Sequence, residues 1–313
     1  MRHLICDSVY AEDFSIASMI PSEDGVELLT GYGPVPSAFA DGTVSVHLPY
    51  STDWYGIWSG KRKVSSDVDE GSIPFMYYGA DRKEIVNNIV KMIHIADELH
   101  PPYGVFHACS ANFDELMERN YSETDSEVLS VLAEILNEVS SSLGGEMPFP
   151  LALENLWWPG MRMTDSSGYR FLEKHLEFDN WCICLDTGHL LLSAGGSYDE
   201  EGSVELLNKV IDSYPKDMID RIRAMHLHNN TSKSVLESHV PPEGFRELGH
   251  MKRYSAAYSY ICSIDQHRPF TNPEIVDFTE RLSPEYVNHE MGAPDPAKRV
   301  SDYMIQRSLF GRS

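Results

Sequence analysis

Basic side chains are scarce in this chain. Among 313 residues, 25 Lys and Arg stand against 48 Asp and Glu, a net charge of −23 with the histidines neutral. Nucleic-acid binders draw most of their non-specific affinity from Lys and Arg that neutralise phosphates, and their footprint is a basic face. This chain would repel a duplex unless a local patch reversed the field, so nucleic acid is not the expected partner. Its one compact basic run, Lys61, Arg62 and Lys63, is followed almost at once by Asp67, Asp69 and Glu70 and reads as a solvated surface segment. No apolar stretch approaches the ~20 residues of a membrane span, so no membrane partner is expected either. Asp7 arrives before any long apolar run, which argues against a secretory signal. Cysteine is sparse: five residues, an odd number, with no C-x-x-C pair. That usage fits reduced thiols in a cytoplasm better than a disulfide framework. Linkers, repeats and low-complexity tracts are lacking too, so a single domain over residues 1–313 is expected.

What is present is apolar and ordered. A 42% hydrophobic content with 16 tyrosines offers ample surface to offset chain entropy. Short apolar strands recur, each followed by a polar loop and then a helical stretch. The strand candidates are 3–6, 26–30, 44–48, 104–108, 151–156, 181–186, 223–228 and 286–291. Helical patterns lie at 81–99, 126–143, 168–175, 203–214 and 273–282, with start signals at Asp81 and at Asn272-Pro273. Eight strands alternating with helices predict a parallel sheet, and eight is the number that closes a (β/α)8 TIM barrel. The alternative is an open doubly wound sheet, but no G-x-G-x-x-G follows a strand to support its dinucleotide-binding form.

Polar residues stand at the C-terminal end of strand after strand: His47 in VSVHLPY, His107 in GVFHACS and Glu154 in LALENL. Asp186 and His189 follow in CICLDTGH, His226 and His228 in AMHLHNN, and Glu290 in YVNHEM. One such histidine alone would read as a hydrogen-bonded structural residue. Six successive strands ending this way point elsewhere, because strand C-termini form the mouth where barrel enzymes build their sites. Converging imidazoles and carboxylates are also costly to desolvate without a cation. Strand alternation then places Ser45, Val105, Ala152, Cys184, Ala224 and Asn288 inside the barrel, two positions before the ligand candidates. All are small or medium, as a crowded interior requires. Cys182 and Cys184 share that register and read as barrel filling. Mixed carboxylate and imidazole donors suit Zn2+, with Mn2+ or Fe2+ as alternatives. The candidates outnumber the four ligands of one tetrahedral ion, so two or three ions are expected.

At these residues the sequence resembles the endonuclease IV and xylose isomerase-like superfamily (AP endonuclease family 2) of metal-dependent TIM barrels. The resemblance runs in order from VSVHLPY to YVNHEM, about four fifths of the chain. It implies a metal core of Glu154, Asp186, His226 and Glu290, with Glu154 and Glu290 as the catalytic pair. Its endonuclease IV branch adds histidines that look like His47, His107 and His189, and an acid-x-His pair after the seventh strand. Asp265 and His267, in the loop before the last long helical pattern, are favoured for that pair, and Glu237 with His239 is the alternative. Between the two lies an insertion at about 245–264 with no obvious counterpart.

The resemblance implies a metal-dependent hydrolase of a phosphoester or related bond. The acidic charge directs that chemistry to a small molecule. The competing expectation is a sugar or sugar-phosphate isomerase or epimerase, using one divalent metal and the Glu154 and Glu290 pair; His47 and His107 are surplus to it. An abasic-site endonuclease shares the chemistry but conflicts with the charge, and a non-catalytic metal-holding barrel is a further reading. Substrate contacts are expected from Trp54, Trp58, Trp157 and His228 at the barrel mouth, with Tyr55 and Trp158 beside them. The cytoplasm is the expected location.

Overall fold

The apolar runs become eight parallel strands: β1 (Arg2–Ser8), β2 (Gly25–Leu29), β3 (Thr43–His47), β4 (Gly104–His107), β5 (Leu151–Glu154), β6 (Trp181–Asp186), β7 (Ile222–His226) and β8 (Tyr286–His289). Each pairs with the next, and β8 pairs with β1, so the computed structural model is a closed barrel. It describes residues 1–10 and 15–311. The expected (β/α)8 architecture is therefore the one that forms, and the open sheet is not.

The strands are buried on both faces, which is why they read as near-continuous apolar runs. Inside, Leu4, Tyr103, Val105, Ala152, Cys182, Cys184 and Ala224 pack together. Outside, Val46, Phe106, Leu153, Leu185 and Met225 meet the helices through residues such as Ile89, Leu132 and Phe278. This alternation follows the register expected from the strand ends. The flanking helices begin where local chemistry starts them. The Asp81 side chain accepts from the Glu84 N–H at the head of Arg82–Asp97, and Thr124 with Glu127 forms a capping box at the head of Asp125–Ser142. Each such cap stabilises its helix by about 1 kcal/mol.

Two segments differ from expectation or add to it. The basic run is less solvated than it reads: Arg62 donates to both oxygens of buried Asp53 at 2.7–3.0 Å, and Lys61 reaches Tyr55 and Glu123. The insertion folds into a turn at Phe245–Glu247 and a helix at His250–Ile264. That helix docks beside Phe113–Glu118, where the Phe113 and Tyr254 rings meet edge to face at 4.8 Å and Arg253 pairs with Asp114.

Candidate metal centre

His47, His107, Glu154, Asp186 and His226 are the last residues of β3, β4, β5, β6 and β7, and Glu290 comes directly after β8. Parallel pairing sets His107 beside Glu154 and Asp186 beside His226. The strand ends therefore deliver their polar side chains to one level. Three groups result: His47, His107 and Glu154; Glu154, Asp186, His226 and Glu290; and His189, His228, Asp265 and His267. Glu154 belongs to two of them. Its Oε2 lies 3.3 Å from His47 Nε2 and 3.1 Å from His107 Nε2, while its Oε1 lies 3.0 Å from His226 Nδ1.

Hydrogen bonds fix which ring nitrogen faces inward. A carbonyl can only accept, so His47 Nδ1 must donate to Leu48 O, His189 Nδ1 to Asn155 O and His267 Nδ1 to Glu290 O. When neutral, these rings present their Nε2 lone pairs to carboxylates: His47 to Glu154 at 3.3 Å, His189 to Asp265 at 3.2 Å and His267 to Asp265 at 2.9 Å. Two acceptors that close repel unless a proton or a metal ion sits between them. Backbone-anchored Nδ1 with a free Nε2 is also the way metal-binding histidines are held. In addition, the buried Glu290 Oε2 has no hydrogen-bond partner among the described residues, although it lies 3.3 Å from His226 Nδ1. The donor set fits divalent cations.

Charge in the cluster is strongly coupled. Burial alone would raise the Glu154 carboxyl, but His226 and His107 hold it well below the usual carboxylate range. Asp265 is likewise held low against burial by His267 and His189, and Glu290 by His226 and His267. Burial opposes the charged forms of His226, His189 and His267, yet the surrounding carboxylates raise all three, His267 to about 10. In His107 burial prevails and the pKa falls.

Asp265 and His267 join the third group, whereas the alternative pair sits elsewhere. His239 Nε2 hydrogen-bonds Met117 O while its ring stacks on Tyr260, and Glu237 accepts from Tyr198. Two aromatic expectations are corrected. Trp54 and Trp58 are 0% and 1% exposed in the core beneath the helices, and neither lines the cavity over the ligand groups. The short helix Trp54–Trp58 turns both indoles inward, where Trp58 Nε1 donates to Glu134 at 2.9 Å. Trp157 and Trp158 do line that cavity of about 500 Å3, and Trp157 packs 5.1 Å from the His189 ring. Tyr55, also buried in the core, lies outside it. His228 is fully buried rather than open to substrate. Its Nε2 meets both Asp186 oxygens at 3.0 and 3.1 Å, and its ring stacks on His267 at 4.1 Å.

Four residues of the site carry no signal in the strand-end pattern. Asn155 joins β5 to β6 by hydrogen bonds to both main-chain groups of Asp186. Glu27 lies inside the barrel with Ser45, Tyr103, Asn288 and His226 around it. Its signal was a glutamate in the apolar run GVELL, and the register shift between Val26 and Glu27 sits at the same place. Tyr254 and Tyr258 reach the cavity from the insertion helix.

Comparison with known proteins agrees with this architecture. Solved structures that superpose over nearly the whole chain include a D-tagatose 3-epimerase-like protein, with TM-score 0.58, 15% identity and coverage of 99% of this chain and 97% of that one. Endonuclease IV from Thermus thermophilus gives 0.51 and 13%, covering all of both chains. A xylose isomerase domain protein from Planctomyces limnophilus gives 0.50 and 14%, covering 98% and 95%. Identities this low establish the fold alone. No curated protein sequence matches the chain. The family model described as xylose isomerase-like TIM barrel matches residues 45–283, a span that holds every ligand candidate except Glu290, and the chain belongs to that family.

Proposed function

We propose that this protein is a metal-dependent hydrolase that cleaves a phosphoester or related bond in a small molecule. The observation that carries this reading is the division of Glu154, whose two oxygens face two different ligand groups. A carboxylate so placed can bridge ions about 3.5–4 Å apart, the arrangement of two-metal hydrolytic sites. His47 and His107 would complete one shell, Asp186, His226 and Glu290 a second, and His189, Asp265 and His267 a third. Imidazole and carboxylate donors favour Zn2+, ahead of Mn2+ and Fe2+. When bound, such ions supply Lewis acidity at the ester oxygens and lower the pKa of a water.

The chain's own groups do the rest. Glu290 keeps 20% of its side chain open and lines the cavity, so it is placed to accept the proton of an attacking water. Asn155 and His228 hold Asp186 in position. The net charge of −23 argues for a small substrate over duplex DNA and so against an abasic-site endonuclease. All five cysteines are free, as a reducing cytoplasm would keep them. No described helix is long and apolar enough to cross a membrane.

The second reading is a sugar or sugar-phosphate isomerase or epimerase. It is supported by the completeness of the Glu154, Asp186, His226 and Glu290 group as a four-ligand site for one ion. Metal stoichiometry separates the two. Two or three tightly held ions per chain, with hydrolysis of bis(p-nitrophenyl) phosphate lost in Glu154→Gln, is the expected result. A single tightly held ion would overturn the hydrolase in favour of the isomerase.

A further inference from the structure

The insertion helix turns an uncharged face toward the ligand groups. Tyr254, Tyr258, Ile261 and Cys262 stand at i, i+4, i+7 and i+8, one stripe of a helix, and all four line the cavity that His47, His107, His267 and Glu290 also line. The charged residues of the same helix stay out of the cavity, and Arg253 pairs instead with Asp114. On the first ligand group, Tyr50 stacks on His107 with centroids 4.6 Å apart and planes at 18°. It still keeps 40% of its surface open, and Tyr258 keeps 49%.

Aromatic surface left open at the rim of a metal centre is costly in water and marks a place where something docks. Three features narrow what that is. Arg299 is the one Lys or Arg among the described residues lining the cavity, so away from the ligand groups there is little cationic charge for a second anionic group. A polyhydroxylated substrate needs convergent fixed donors and acceptors; Asp7, Ser8, Thr52 and Gln266 supply some elsewhere in the cavity, but the insertion stripe adds only the Tyr254 and Tyr258 hydroxyls and the Cys262 thiol. Tyr rings, by contrast, stack on planar partners at centroid distances of about 4.5–7 Å.

We propose that the substrate carries a planar, uncharged aromatic or heteroaromatic ring, seated on Tyr50 and against Tyr258, next to the oxyanion that the metal centre holds. The proposal rests on the phosphoester reading of that centre. It makes the insertion helix the element that determines specificity, with the strand ends supplying the chemistry. A methyl ester offers nothing to this wall, whereas an aryl ester fills it.

The test is calorimetric titration of the metal-loaded full chain with phenylphosphonate, cyclohexylphosphonate and methylphosphonate. Their P–C bonds survive hydrolysis and their oxygens are the same. Phenylphosphonate should bind about tenfold tighter than methylphosphonate, with cyclohexylphosphonate well behind it. Tyr258→Ala should remove most of that preference and weaken methylphosphonate less than twofold, at unchanged metal content. Met251→Ala, on an exposed part of the same helix, should retain the preference. Equal affinity for phenyl and methyl probes overturns the proposal, as does a cyclohexyl probe that binds as tightly as the phenyl one. An equal loss for all probes in Tyr258→Ala also overturns it, because the tyrosine would then be supporting the metal centre. A phenyl preference in a chain that hydrolyses no phosphoester supports the ring site while refuting the hydrolase.

Discussion

Oε1 of Glu27 lies 2.7 Å from Nε2 of His226, on the opposite side of the imidazole from the nitrogen that faces Glu154, Asp186 and Glu290. The contact is close but off the ring N–H axis, so it counts as an ion-pair contact and not as an aligned hydrogen bond. Ser45, Tyr103 and Asn288 donate to the same carboxylate at 3.1, 2.7 and 2.9 Å. Three neutral donors thus hold an anion behind the ring, which keeps the inward nitrogen electron-rich. Loss of such a supporting partner lowers metal affinity by about 10–100-fold in general. Glu27→Gln is expected to fall in that range by chelator competition, with the fold retained by circular dichroism. Parental affinity in this variant would leave Glu27 as barrel filling only.

The Glu154 position makes a stoichiometric prediction. Because the carboxylate serves two ligand groups, Glu154→Ala should lose two ions per chain. His189→Ala should lose only one, since His189 stands with the Asp265 group. Mass-spectrometric metal counting after gel filtration distinguishes these outcomes. Chelation should also lower the melting temperature, because ions that bind only the folded chain stabilise it in proportion to the logarithm of their excess over Kd. An equal loss in both variants would mean that the groups fill cooperatively.

Much of this site was legible because barrel topology turns sequence order into spatial order. A residue at the end of an apolar run lies at the barrel mouth, whichever strand it ends. His47, His107, Glu154, Asp186, His226 and Glu290 could therefore be read together from six separate motifs. Glu27 could not, because an acid inside a strand carries no spacing signal and its partners come from β3, β8 and the loop before β4. Trp54 and Trp58 misled for the converse reason. Their loop follows β3 at the mouth, but a short helix rotates both rings down into the core. Loop residues owe their direction to such local turns, which periodicity does not record.

That rotation assigns the tryptophans different jobs. Trp54, with 0% of its surface exposed, should behave as a core residue. Trp54→Ala should cost about 3–5 kcal/mol of stability, the usual range for removing a large buried aromatic, with metal stoichiometry unchanged in whatever folds. Trp157 packs on His189 and lines the cavity. Trp157→Ala should therefore alter the third ligand group and substrate affinity more than the urea midpoint. Urea titration paired with metal counting separates the two, and a reversed pattern would contradict the placement of both rings.

Part of the acid sensitivity of the metal-free chain should come from a histidine pair outside the ligand groups, with His107, which burial also lowers, adding to the same slope. Gln306 Nε2 donates to Leu227 O and approaches His289 Nδ1 at 2.7 Å, so His289 must carry its proton on Nε2 and donate to His3 Nδ1 at 2.9 Å. Burial, reinforced for His3 by Arg307, lowers His3 to about 4, and burial followed by His3 lowers His289 well below its ordinary value. Between the ordinary value of 6.5 and about 4, the unfolded chain binds protons that the folded chain refuses. Stability is then complete above 6.5 and is lost as pH falls through that window, His3 alone contributing on the order of 3 kcal/mol. Without bound metal, histidines raised by carboxylates, such as His267, are protonated in both states over most of the window and add little slope. Glu154 and Asp265, held low, begin to matter only near and below 4.5 and 3.8. His3→Gln supplies a non-titrating acceptor for His289 and should make the fall in urea midpoint between pH 6.5 and 4.5 shallower by the share of His3, with His289 keeping its own. A slope as steep as the parent's would place the acid-labile group elsewhere.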